Sequence, residues 1–139
     1  MGAEIRPIRV IDYGETNGTG LKDYDGGANA SWKFLIVEDD VGLFFLVGPL
    51  SEYPYHANLL DAFCSDRDIP AHWQNKPDML LLDNDAYAVC GGGWVQYDAG
   101  RNRLIFSGRS TAYGGFEPDI VREIVDTSDL PSRYDVIVR

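Results

Sequence analysis

The side chains in this chain that could do chemistry are few and mostly isolated. There are two histidines, His56 and His72, in a sequence of 139 residues whose net charge is −10. His56 opens a stretch in which His56, Leu59, Leu60, Phe63 and Cys64 recur at the spacing of one helical face. Pro54, just upstream, stands where helices tend to begin. In the first turn of a helix, the positive end of the dipole disfavours the imidazolium. A neutral imidazole can take a proton from water, which makes His56 the candidate general base. A lone histidine is more often structural or exposed, and His72, in a polar stretch, is read as a surface residue.

A second candidate is the run Ser110 to Pro118, STAYGGFEP. A strand ends there, a turn of small residues and glycine follows, and Pro118 opens a helix. Such a turn can aim successive backbone N–H groups at an anion, although an ordinary strand-to-helix connection has the same composition. Lys33 is a lone cation inside the apolar strand WKFLIV. It belongs either to the solvent face of a half-exposed strand or, if it shares a face with the anion turn, to the same site. The glycines 91–93 match neither a GxxxxGK[ST] nor a GxGxxG phosphate motif, so a β-bulge or a close backbone approach is their default meaning.

Two cysteines, Cys64 and Cys90, lack metal-like spacing and a CxxC motif and are expected to be buried free thiols, which points to a cytoplasmic protein. The Asp and Glu residues form no metal-binding pattern, and no cofactor is expected. The negative charge argues against nucleic-acid or anionic-membrane partners, and it requires any phosphate site to be locally positive. No stretch of eighteen apolar residues and no signal peptide is visible. Met1-Gly2 does not complete a myristoylation motif, because Arg6 stands where Ser or Thr is wanted.

The elements that must position these residues read as one domain spanning 1–139. Glu4 to Tyr13, interrupted by Pro7, is an edge segment, and 14–31 is a Gly-, Asn- and Asp-rich mobile loop. Trp32 to Val37 and Gly42 to Val47 form a hairpin around Glu38-Asp39-Asp40. Residues 66–78 are a polar loop with two prolines. Strands follow at 79–82, 86–90, 93–97 and 103–108, with Asp98 to Asn102 turning the last pair. Glu117-Pro118 opens a second helix whose Ile120, Val121, Ile124 and Val125 make an apolar face. Pro131 ends that region, and Tyr134 to Val138 is a final strand. The assembly is α+β, mostly sheet with two helices.

In order, WKFLIV (Trp32 to Val37), YHANLLD (Tyr55 to Asp61), CGGG (Cys90 to Gly93), STAYG (Ser110 to Gly114) and YDVIV (Tyr134 to Val138) resemble the protein histidine phosphatase (Janus) family. The resemblance implies a six-stranded, or slightly larger, mixed sheet with two α-helices. It implies metal-independent hydrolysis of phosphohistidine in proteins, with phospholysine as a further substrate. It carries the essential histidine to His56, the phosphate-binding lysine to Lys33, and the phosphate loop to Ser110, Thr111 and Ala112 through backbone amides and the Ser110 hydroxyl. His56 would either deprotonate the attacking water or attack phosphorus itself.

The chain departs from the family in one place that matters. An arginine commonly follows the three glycines, and here Trp94 does, a loss worth about 2–4 kcal/mol of transition-state stabilisation. Arg109 is the candidate replacement. If 93–97 and 103–109 pair around a four-residue loop, Arg109 and Trp94 share a face, whereas a one-residue slip puts them on opposite faces. The loop before 79–82 looks like an insertion and is a second departure.

Three functions compete. The first is a phosphatase acting on a phosphohistidine-containing protein. The second is a non-catalytic module that binds a phospho-ligand or a protein on the same fold, and the third is a phosphatase of a small phosphoramidate. A monomer is expected in each case.

Overall fold

Two uninterrupted apolar runs become the centre of a sheet. In a computed structural model that describes residues 7–14, 20, 21, 24 and 27–139, Ala30–Glu38 forms β2 and Leu43–Pro49 forms β3. They pair antiparallel around the expected acidic turn. Asp39 closes that turn, its Oδ1 accepting the amides of Val41 at 3.0 Å and Gly42 at 2.9 Å and the Arg9 guanidinium at 2.7 Å. The expectations for residues 4–6, for the Met-Gly start and for much of the 14–31 loop lie outside the described residues.

Around this hairpin the described residues form a six-stranded sheet in the order β1 (Ile8–Asp12), β3, β2, β6 (Ala88–Asp98), β7 (Arg103–Ser107) and β10 (Asp135–Val138). β1 lies parallel to β3, while β6 and β7 continue antiparallel from β2. β10 adds in parallel to β7, which makes the sheet mixed. The helices are α1 (His56–Arg67), α2 (Pro118–Asp126) and the short α3 (Leu130–Arg133). The chain is therefore α+β with a six-stranded mixed sheet, one helix richer than expected. No described helix is long and apolar enough to cross a membrane.

Alternation along β2 divides the interior in two. Trp32, Phe34 and Ile36 face a core shared with Phe45, Phe106, Val121, Ile124 and Val125. Leu35 and Val37 face a second core, with Phe44, Leu46 and the α1 residues Leu59, Leu60 and Phe63. The helical spacing read from the sequence is thus the buried face of α1.

Four expectations are corrected. Residues 66–78 are not a loop: α1 runs on to Arg67 and ends at a left-handed Asp68, and β4 (Ala71–Asn75) then pairs with β5 (Met79–Leu82) as a separate two-stranded sheet. The strands expected at 86–90 and 93–97 are one strand, β6, with a bulge at Cys90-Gly91 opposite Ile36. Pro131 lies at the start of α3 and does not end a helix. The strand expected to run to 108 stops at Ser107, and Gly108, at φ +78°, turns the chain into the short hairpin β8 (Arg109–Ser110) and β9 (Gly114–Gly115).

Candidate functional site

Lys33 lies on the face of β2 that α1 covers, in step with Leu35 and Val37. Its side chain is buried, so the solvent-face reading of this lysine falls. No carboxylate among the described residues pairs with it. Its Nζ is instead 4.5 Å from the centre of the Trp94 ring and 5.8 Å from that of Tyr55. Trp94 is the residue directly opposite Lys33 in the β2–β6 register. Burial lowers the Lys33 pKa from its ordinary value, and no carboxylate opposes the shift.

His56 is the first residue of α1 and is 5% exposed. The helix start is fixed by the Tyr55 N–H, which donates to Asn58 Oδ1 at 2.9 Å. The helix end can approach β6 because residue 92 is glycine: a Cβ there would lie 2.3 Å from the Phe34 carbonyl oxygen and 3.0 Å from the His56 ring. This approach brings His56 Nε2 to 2.9 Å from the Gly93 carbonyl oxygen. A carbonyl only accepts, so Nε2 carries the proton and Nδ1 keeps the lone pair. Burial moves the His56 pKa from 6.5 down to about 4; the Gly93 bond opposes that shift and the Lys33 charge adds to it. The neutral form expected at position 56 is thus favoured chiefly by burial. The Trp94 ring stands edge-on to the imidazole, with centroids 6.2 Å apart.

A cavity of about 380 Å³ is lined by Lys33, Pro54, Tyr55, His56, Asp78, Met79, Thr111 and Ala112. Four of the six residues singled out from the sequence therefore meet in one place. The amides of Thr111 and Ala112 make no hydrogen bond among the described residues and remain available as donors. Ser110 is fully buried outside the lining, and its Oγ accepts the Tyr113 N–H at 3.1 Å within its own turn. Arg109 is exposed and is also outside the lining. The hairpin has the four-residue loop that the shared-face expectation required, pairing Asp98 with Arg103 and Trp94 with Ser107. The strand does not reach 109, however, because the chain turns at Gly108, against whose backbone the Trp94 indole packs.

Sequence reasoning missed the wall that carries Asp78 and Met79. The run Asn75-Lys76-Pro77-Asp78 is turn chemistry between two short strands, and that signal was available. Tyr113 fastens this wall to the anion turn: its hydroxyl donates to the Leu80 carbonyl at 2.8 Å and accepts the Leu80 N–H at 2.9 Å.

The remaining reactive groups lie apart from this cavity. His72 is exposed, 2.6 Å from Asp83. Cys64 is a buried free thiol whose pKa burial pushes up to about 11, and Cys90 is a half-buried one. No known protein family matches the chain, and no curated protein matches it significantly.

Proposed function

We propose that the chain is a phosphohistidine phosphatase of the Janus type, with His56 as base or nucleophile and with Lys33 and the amides of Thr111 and Ala112 holding the phosphoryl oxygens. The observation that carries this reading is a buried lysine without a carboxylate partner among the described residues, sharing one cavity with a neutral histidine and two amides that none of those residues engages. A buried unpaired cation is costly unless an anion arrives to meet it. Phosphoryl transfer asks the protein mainly for position and charge stabilisation, which this set of donors supplies.

In the base mechanism, His56 Nδ1 takes a proton from water and the hydroxyl oxygen bonds to phosphorus. The P–N bond then breaks, with its electron pair going to the departing imidazole nitrogen. A phosphoryl dianion beside His56 favours the imidazolium, so the base strengthens as substrate binds. In the nucleophile mechanism the same Nδ1 bonds to phosphorus as the substrate's P–N bond breaks, its electron pair going to the departing imidazole nitrogen, and water later attacks phosphorus and breaks the new N–P bond to release phosphate. Rapid quench separates the two, since only the second leaves a phosphoryl group on His56.

Hydrolysis of phosphohistidine in the presence of EDTA tests the reading. Wild type turns over, and His56→Ala loses roughly 10²–10⁴-fold, the usual contribution of a general base. Wild-type turnover that survives His56→Ala within a factor of three overturns it. The second reading, a phospho-ligand binding module, is favoured by Trp94, whose ring occupies the Lys33 charge where the family has an arginine. An inert wild type that still binds phosphate supports that reading.

A further inference from the structure

The cavity holds two opposite charges that do not neutralise each other. Lys33 and Asp78 both line it, yet they form no ion pair, which places their charged atoms more than 4.0 Å apart. The described contacts of Asp78 include one long hydrogen bond, 3.4 Å from Asn75 Nδ2 to its Oδ2, within the turn that joins β4 and β5. Asp78 is exposed, so its carboxylate meets solvent, while Lys33 sits deep on the sheet. A site built only to hold a phosphoryl group gains nothing from an added carboxylate, which repels the anion. In a chain of net charge −10 the added repulsion is doubly costly to anion capture.

We propose that the cavity selects a dipolar ligand, one whose phosphoryl group is met by Lys33 and whose neighbouring cationic group, an ammonium, a guanidinium or a protonated imidazole a few bonds from phosphorus, is met by Asp78. The substrate class narrows accordingly to phosphorylated compounds or side chains that carry their own positive charge. Asp78 is then a specificity residue and takes no part in bond making. This inference rests on the reading of Lys33 as the phosphoryl-binding cation.

Binding of two inert phosphonates tests it without any turnover. 2-Aminoethylphosphonate carries both charges, ethylphosphonate carries the anion alone, and neither has a P–N or P–O ester bond to hydrolyse. Titrations followed by calorimetry or by NMR of the Thr111 and Ala112 amides should show wild type preferring the aminoethyl compound by about five-fold, as expected for one solvent-exposed ion pair. Asp78→Asn, which keeps the acceptor for Asn75, should bind the two equally, and Asp78→Lys should reverse the order. Lys33→Met should weaken both. Equal binding of the two phosphonates by wild type, or a preference that survives Asp78→Asn, overturns the proposal, as does failure of both to bind. The hydrolysis assay stands apart: selective binding without hydrolysis sinks the phosphatase reading and leaves this one intact.

Discussion

On one face of β2, Trp32, Phe34 and Ile36 enter a core in which Phe34 lies 5.0 Å from both Phe45 and Phe116, ring to ring. On the other face, Leu35 and Val37 continue an equally apolar layer under α1, but Lys33 interrupts it at one end, beside the start of the helix. The same strand thus serves a face closed by aromatics and a face left open at one corner. The open corner is where a glycine replaces a side chain at 92 and where a lysine and a histidine are buried without carboxylate partners among the described residues. The difference shows how a site is made: packing is given up at one corner of one layer, and the opposite layer supplies the stability that permits it.

Breaking the closed face should give the largest effect. Phe34→Ala should cost about 3–5 kcal/mol, read as a lower urea midpoint, because the residue is fully buried among aromatic rings. A loss under about 1 kcal/mol would show that the two faces do not differ as described. On the open face, Trp94→Arg places a guanidinium beside the Lys33 ammonium. It should tighten phosphate binding by roughly ten-fold, less than a full oxyanion donor gives because the two cations repel. Unchanged or weaker binding would mean that the indole itself contributes to the ligand site.

Lys33→Met sharpens the contrast through its sign. Removing a buried cation that lacks a carboxylate partner among the described residues should raise the unfolding free energy by up to about 1 kcal/mol while weakening phosphate binding. A destabilised variant would mark Lys33 as a structural residue. The effect at His56 depends on pH. Its folded pKa, about 4, lies below the unfolded 6.5, so between these values the unfolded chain takes up a proton that the folded one refuses. Stability contributed by the neutral ring is whole above pH 6.5 and falls as pH drops from 6.5 to 4. The difference in melting temperature between wild type and His56→Gln should shrink over that window, and a difference flat with pH would contradict the shift.

Much of this was legible in the sequence, and what was not has physical causes. The β2–β3 hairpin and α1 could be read because their apolar periods are long and uninterrupted. The placement of His56 at a helix start followed from Pro54 and that period alone. β4 stayed hidden because its alternation, in Ala71-His72-Trp73-Gln74-Asn75, is short and polar and is bracketed by prolines, and because it pairs only with β5 outside the main sheet. The place of Arg109 turned on Gly108 alone, where a positive φ ends β7 two residues too early for the arginine to share the Trp94 face. That Trp94 would lie across from Lys33 required the β2–β6 register through a bulge, which local patterning does not encode.

The paired hydrogen bonds between Tyr113 and Leu80 carry a thermodynamic consequence. They tie the turn bearing Thr111 and Ala112 to the hairpin bearing Asp78 and Met79, so two walls that are far apart in the chain are joined by the fold itself. The two walls are fastened to each other before anything enters between them. Their shape entropy was surrendered when the chain folded, and a ligand settling between those walls need not order them again.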